Sequence, residues 1–375
     1  MSLSVLSRES GIYGEIHLLF ENNNNNDCDV SLINGIRRTI IADVETVRFD
    51  IESGNKNNPN LMIKENTGAM YNDFLAHRIS LVPIHIASLK KAISNEGKEF
   101  DISKLNFTLD IQNSKPEMES SINVKCGDFK IFYNESEIDN LKYNIVDKNI
   151  ILTRLRPKPY GNGLGETIKI TKLVPSYGSG KVHTGYTPAT LMYWFGLDKN
   201  SIPPDFENER KYTLIKAKNG IDINEDFIKY INIKVSANGF MYPQDIINSA
   251  FNILKDKIKH FSDYYLTGDI KNIYDIIIRK SSEHKDSNII NVDFIIEDVG
   301  HTICSIISNY MYLQKDVESC AYKQPHPMDN KYIIRTSLLN NISDDETYIL
   351  SVKEHMIYVC KKINRILDEL SAQFN

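Results

Sequence analysis

The sequence predicts an α+β fold: two related units that pair through helices, the first interrupted by a β-rich insert. Three observations predict it. Apolar residues switch repeatedly between strand-like alternation and helical spacing. The stretch from Leu61 to about Pro188 is rich in short strand-like runs with polar turns. The order strand–helix–strand, then strand–helix after the insert, returns near the C-terminus as strand–helix–strand–strand–helix, without a letter-by-letter repeat.

The elements follow in order. Ile12 to Phe20 has a strand-like core, and the Asn22–Asn26 run makes a polar turn. Asp27 or Asp29 can cap a helix that starts near Val30. In it Ile33, Ile36, Ile40 and Val44 share one apolar stripe, with Arg37 and Arg38 beside it. Thr46 to Ile51 alternates as a strand through Val47, Phe49 and Ile51. Ser53 to Pro59 is a polar break and a candidate boundary.

A helix over Gly68–Ile79 then leads into an extended Leu81-Val82-Pro83-Ile84 piece. Short strands are expected at Phe107–Ile111, Ile122–Lys125, Phe129–Tyr133, Ile150–Leu155 and Thr167–Leu173. Gly161, Gly163 and Gly165 form a loop without the spacing of a dinucleotide fingerprint, so a flexible turn is the default.

Tyr212 to Val235 reads as strand, turn, strand. Pro243 to Phe261 is a helix with Ile246, Ala250, Ile253 and Ile258 on one face, its proline acceptable in a first turn. Ser262 to Ser287 is a polar connection around an Ile273–Ile278 strand. Ile289–Ile296 is a strand, and Asp298 is expected to cap a helix to about Leu313, with Ile303, Ile306, Ile307 and Tyr310 on one side. Ser319–Lys323 and Lys331–Leu338 are strands around a proline-rich corner. In the last helix, Asp345 to about Ala372, Val352, Met356, Val359, Ile363, Ile366 and Leu370 keep near-heptad spacing. The implied division is 1–52 with 189–265 as the first unit, 53–188 as the insert, 266–288 as the connection and 289–375 as the second unit.

Composition sets limits. The 375 residues leave room for roughly two domains. A hydrophobic share of 41% argues against general disorder, and a net charge of −5 excludes a strongly basic nucleic-acid coat. Cys28, Cys126, Cys304, Cys320 and Cys360 are scattered and include no C-x-x-C, which points to a reduced, intracellular protein without a zinc knuckle. Met1 to Gly14 has no apolar signal core, and no apolar run approaches the ~20 residues of a membrane span. The many Asn and Ile residues fit an AT-rich genome.

No catalytic constellation emerges. Nucleotidyl transfer needs clustered carboxylates around two metal ions. The acidic pairs Asp27/Asp29 and Asp344/Asp345 instead sit at turns and caps. His77, His183, His301 and His326 have no partners at ligand spacing, so structural hydrogen bonding is expected and no metal. Arg37 and Arg38 point about 100° apart on their helix. They are either a solvated edge or a reach across a subunit interface; no basic stripe continues from them toward DNA.

Several motifs carry a resemblance. Asn34-Gly35-Ile36-Arg37-Arg38-Thr39-Ile40-Ile41 resembles the first-helix signature of the alpha-like subunits of cellular RNA polymerases. Asp73-Phe74-Leu75-Ala76-His77-Arg78 through Ile84 resembles a segment of the third-largest subunit. Gly178, Lys181, His183, Tyr186 and Pro188 resemble its G-x-x-K-x-H-x-x-[WY]-x-P stretch. Phe294 to Thr302, and Pro325-His326-Pro327-Met328 with Lys331 and Arg335, are similar to segments of the small alpha-like partner.

The resemblance implies both alpha-like subunits fused in one chain, as in large eukaryotic DNA viruses, working in host cytoplasm and virion. It implies a non-catalytic assembly platform without cofactor. Its partners would be the largest and second-largest subunits and a small zinc-binding subunit, with DNA met only through the whole enzyme and no membrane. The zinc-bearing members' cysteine cluster is missing between Ile84 and Asp101, so no zinc is expected here. Interface residues would be Asn34, Ile36, Arg37, Arg38, Ile40, His77, Arg78, Val352, Met356, Val359, Ile363, Ile366 and Leu370. The helices Val30–Val44, Pro243–Phe261 and the last one would form the pairing interface. Large-subunit docking would use Lys181, His183, Tyr186, Pro325, His326 and Arg335. The alternative is a dimerising nucleic-acid-binding regulator, which the charge balance supports poorly.

Overall fold

The computed structural model describes residues 2–9, 11–21, 29–51, 59–94, 101–114, 121–157, 165–196, 230–266, 275–280, 290–339 and 345–374. The Asn22–Asn26 turn, Gly161, Gly163 and the Tyr212 end of the 212–235 strand pair lie outside them.

The chain opens with antiparallel strands β1 (Ser2–Arg8) and β2 (Glu15–Glu21). Helix α1 (Val30–Ala42) follows; Asp29 caps it by accepting from the Ser31 backbone N–H at 3.0 Å. This satisfies one of the donors that a helix start leaves open. Strand β3 (Glu45–Arg48) is shorter than the alternation suggests. Val47 in the strand and Phe49 and Ile51 beyond it all pack in a core separate from that of α1.

The middle region builds that core. Its strands are β4 (Leu61–Asn66), β5 (Leu105–Gln112), β6 (Ile122–Lys125), β7 (Lys130–Tyr133), β8 (Ser136–Ile138), β9 (Ile151–Leu155), β10 (Thr167–Leu173) and β11 (Ser176–Ser179). They form a five-stranded sheet in the order β4-β10-β5-β7-β8, with ribbons β6-β9 and β11-β3. Helix α2 spans Asn72–Ser80, not Gly68–Ile79. The Asn66 side chain explains the late start: it holds Gly68 N–H and Met70 carbonyl in a turn. Helix α3 (Ile86–Ser94) was not expected; His85 opens it, its Nδ1 accepting from the Ser88 N–H. The short α4 spans Asn140–Tyr143. Phe49, Phe107 and Phe129 pack edge-on or tilted inside, with Phe49 and Phe107 centroids 4.9 Å apart.

β12 (Ala189–Gly196) and β13 (Tyr230–Ala237) rejoin the first two strands in a sheet ordered β1-β2-β13-β12. Helix α5 (Pro243–Phe261) follows, then a π-helical turn to Leu266. The remainder is β14 (Asp275–Lys280), β15 (Ile290–Glu297), α6 (His301–Tyr312), β16 (Val317–Lys323), β17 (Lys331–Leu338) and α7 (Asp345–Phe374). Its sheet order is β14-β15-β17-β16. Both sheets are antiparallel and both read first, second, fourth, third, so one β-β-α-β-β-α plan occurs twice.

Asp298 does not cap α6. Gly300 is its N-cap and no side chain completes it. Asp298 and Gly300 both have positive φ, which turns the chain before the helix starts.

One continuous apolar core joins both occurrences of the plan. It runs from Ile16, Leu32, Ile36 and Ile40 through Ile246 and Phe251 to Ile306, Met356 and Ile363. Helix α1 packs on α5 and α6, and α7 packs on α5 and α6.

Candidate subunit interface

Helices α1 and α6 come close at Gly35. A Cβ on Gly35 would stand 2.6 Å from Ile306 Cδ1. Glycine inside a helix costs about 1 kcal/mol against alanine. Here it lets the helices approach, and buried Ile36 and Ile40 fill the seam. Polar contacts edge the seam: the Asp29 N–H donates to Tyr310 Oη at 3.3 Å, and Asn309 Nδ2 donates to Asp29 Oδ2 at 3.2 Å.

The last helix buries Val352, Met356, Val359, Ile363, Ile366 and Leu370. Its end is held by β1 and α5. Arg8 lies 5.7 Å from the centre of the Phe374 ring, Phe374 meets Phe251 edge-on at 6.5 Å, and Lys255 pairs with Asp368. The helix has no basic residue in its own last turn, so the Arg8 cation is well placed against the negative helix end.

The two arginines of α1 separate. Arg37 donates from Nε and Nη2 to Asn34 Oδ1, one turn back on the same exposed face. Arg38 instead enters a cleft of about 790 Å³. The cleft lies where three motif regions meet. Arg38, Thr39 and Asp43 come from α1, Lys181 from the loop after β11, and Asp298, Gly300 and His301 from the start of α6. Lys257 and His260 of α5, with Asn330 and Tyr332 at β17, complete the wall. Lys257 pairs with Asp43 at 2.7 Å and Lys331 with Glu297 at 3.2 Å. His301 meets the rings of Tyr332 and Tyr322 edge-on. The Thr39 hydroxyl is buried with no hydrogen-bond partner among the described residues.

His183 and Tyr186 turn away from this cleft and serve Arg48, a residue that sequence reasoning missed. The buried Arg48 guanidinium lies 4.8 Å from the Tyr186 ring centre and donates from Nη1 to His183 Nδ1 at 2.7 Å. The Gly185 N–H donates to the same nitrogen at 2.9 Å, so Nδ1 carries no proton. Tyr186 is only 2% exposed, and its hydroxyl meets Ser176 Oγ at 2.8 Å. A Cβ on Gly178 or Gly185 would strike the Tyr186 ring or Arg48, which explains both glycines. Lys181 stays exposed, its backbone N–H bound to the Ala42 carbonyl.

The other predicted residues lie apart from the helix seam. His77 and Arg78 are exposed on α2, where Arg78 donates to the Ile151 carbonyl at 2.7 Å. His326 organises the β16–β17 corner, its Nδ1 accepting from the Met328 N–H at 3.2 Å. Pro325 is beside it in the same corner. Arg335 makes a two-pronged bond to Asp293, its direct cross-strand neighbour. That hydrogen bond raises the Arg335 pKa, while Asp293 is 1% exposed.

Among the described residues no group of three or more His, Cys, Asp or Glu could hold a metal, and no helix is long and apolar enough to cross a membrane. Burial pushes the Cys126, Cys304, Cys320 and Cys360 thiols up to about 12, so they stay protonated at neutral pH.

Comparison with known proteins agrees with the doubled plan. The description "RNA polymerase Rpb3/Rpb11 dimerisation domain" matches residues 25–258 and, separately, residues 291–373. The chain is 27% identical over 233 residues to DNA-directed RNA polymerase subunit Rpo3 of Methanocaldococcus jannaschii, covering 62% of this chain and 83% of that protein. It is 25% identical over 245 residues to subunit 3 of DNA-directed RNA polymerases II, IV and V of Arabidopsis thaliana, covering 60% and 69%. A conjugation stage-specific protein of Tetrahymena thermophila is 25% identical over 287 residues, covering 62% and 87%. The first match alone spans more than half the chain and the second falls on the other copy of the plan, so the chain belongs to the RNA polymerase Rpb3/Rpb11 dimerisation-domain family, as an alpha-like subunit.

Proposed function

We propose that this chain is an assembly platform for a multisubunit DNA-directed RNA polymerase, with both alpha-like partners in one polypeptide. The observation that carries the reading is the single apolar core shared by the two copies of the plan, closed at Gly35 against Ile306. Pairing is then intramolecular and its stoichiometry one to one. The largest and second-largest subunits dock on the platform, and the cleft around Arg38, Lys181 and His301 is the favoured place, because three motif regions converge there. A small zinc-binding subunit completes the assembly. The fused arrangement and AT-biased composition support a large DNA virus as the source, with the enzyme in host cytoplasm and virion.

A tagged full chain, expressed with the largest and second-largest subunits, is expected to retain both through purification. Alone it is expected to show no nucleotidyl transfer. Robust activity from the isolated chain, or failure to retain either large subunit, would overturn the reading. Mass spectrometry of purified virions tests the viral part.

A further inference from the structure

An exposed side chain ordinarily samples several rotamers. His183 is exposed, yet its ring is held in place. Nδ1 meets two groups that can only donate: Arg48 Nη1 at 2.7 Å and the Gly185 N–H at 2.9 Å. With two donors on Nδ1, the neutral ring carries its single proton on Nε2. That nitrogen has no hydrogen-bond partner among the described residues.

The support for this one ring is costly. Arg48 is only 2% exposed. Its contact with the Asp50 carboxylate is long at 3.4 Å, and its Nε has no hydrogen-bond partner among the described residues. A buried guanidinium is expensive unless it is closely paired. The close contacts of Arg48 are instead His183 and the face of Tyr186. Gly185 belongs to the same arrangement, since a Cβ there would stand 1.7 Å from Arg48 Nη1. Proteins depart from inexpensive packing mainly at functional positions.

The arrangement also sets the polarity of the free side of the ring. A cation donating to Nδ1 draws electron density from the imidazole and strengthens the Nε2–H as a donor. The complement of a strengthened donor is a charged oxygen. Because the ring is already fixed, it loses little entropy when a partner meets it.

We propose that Arg48 is the positioning residue that locks His183 in its Nε2–H form, and that this fixed donor takes a carboxylate of a large polymerase subunit docking on the platform. The docking half rests on the platform reading. It adds a contact outside the cleft, whose lining does not include His183, and gives it a direction: this chain donates and the partner accepts.

Nitrogen NMR of the full chain with isotope-labelled histidine tests the lock. The His183 signals, assigned as those absent from H183N, are expected to show a bare Nδ1 and a protonated Nε2 at neutral pH. R48M is expected to shift them to a mixture of the two tautomers. A proton on Nδ1 in the unsubstituted chain overturns the lock, and so does an R48M pattern identical to the unsubstituted one. The H183N variant tests docking. Its asparagine Oδ1 can accept from Arg48 and Gly185 as Nδ1 does, but no donor stands in the place of Nε2–H, so the melting temperature is expected to be unchanged. When H183N and the unsubstituted full chain compete for co-expressed large subunits, H183N is expected to be under-represented roughly tenfold, the size of one hydrogen bond to a charged group. Equal representation overturns the docking donor and leaves the platform reading intact. A melting temperature that falls together with binding assigns His183 to the fold and also overturns it. If the unsubstituted chain retains no large subunit, the platform reading fails and the docking donor with it, while the spectra still decide the lock.

Discussion

Arg335 and Asp293 face each other across β15 and β17, and only the arginine reaches water. Arg335→Leu therefore takes a two-pronged partner from a buried carboxylate, at a cost of about 1–2 kcal/mol, lowered by the arginine's own exposure. Chemical denaturation checks it; an unchanged midpoint would show that the carboxylate finds other donors. His85 gives an acid-side signature. Burial lowers its pKa to about 4, so the folded state holds fewer protons than the unfolded one. Its contribution is complete above about pH 6.5 and is lost as pH falls toward 4, up to about 3 kcal/mol. His85→Asn should flatten that slope in melting curves taken between pH 7 and 4. The buried thiols act on the alkaline side. Their contribution is complete below about pH 9 and declines as pH rises toward 12, and thiol reagents at pH 8 should modify buried Cys126, Cys304 and Cys360 only after unfolding. Arg48 was invisible in the sequence, because a lone cation in a short strand breaks no period and announces no partner 135 residues away.

At the scale of elements, strong periodicity was the reliable signal. The α5 boundaries follow directly from Pro243 and the apolar stripe to Phe261. The α7 stripe is buried at every expected position, so Ile363→Ala should cost about 2–5 kcal/mol in thermal or chemical unfolding. Loss of under 1 kcal/mol would mean that α7 repacks freely. The helix α3 escaped notice because its stripe of Leu89, Ala92 and Ile93 is short and the helix starts three residues after Pro83, where extended structure reads more easily. Strands β4 and β11 escaped because their exposed faces dilute the alternation. Asp29 and Asp298 look alike as caps. Only Asp29 performs the role, because positive φ at residues 298 and 300 redirects the chain.

At the scale of the molecule, one core binds both copies of the plan. Expressed apart, residues 1–268 and 269–375 should each expose their share of it and be insoluble or unfolded, whereas co-expression should recover a soluble pair. Cooperative unfolding of isolated residues 269–375 as a monomer would refute the shared-core picture, since the separate core of the middle region stays within residues 1–268. The cleft belongs to this scale as well, since its wall draws on residues more than 250 positions apart.

Sequence by itself determined the α+β class, the recurrence of a strand-and-helix order near the C-terminus, the stripes of α1, α5, α6 and α7, and the motifs that pointed to polymerase alpha-like subunits; the full β-β-α-β-β-α plan came from the structure. Each of these is local, or periodic over a few turns, and so survives in one dimension. Only the tertiary structure decided which motif residues meet. It placed Arg38 and Lys181 at a cleft, bonded Arg37 to Asn34 one turn back, and set exposed His183 and buried Tyr186 against Arg48. The physical reason is that a side chain's partner across a fold depends on how distant faces are brought together, and no local stretch of sequence records that: Arg48 and His183 stand 135 residues apart.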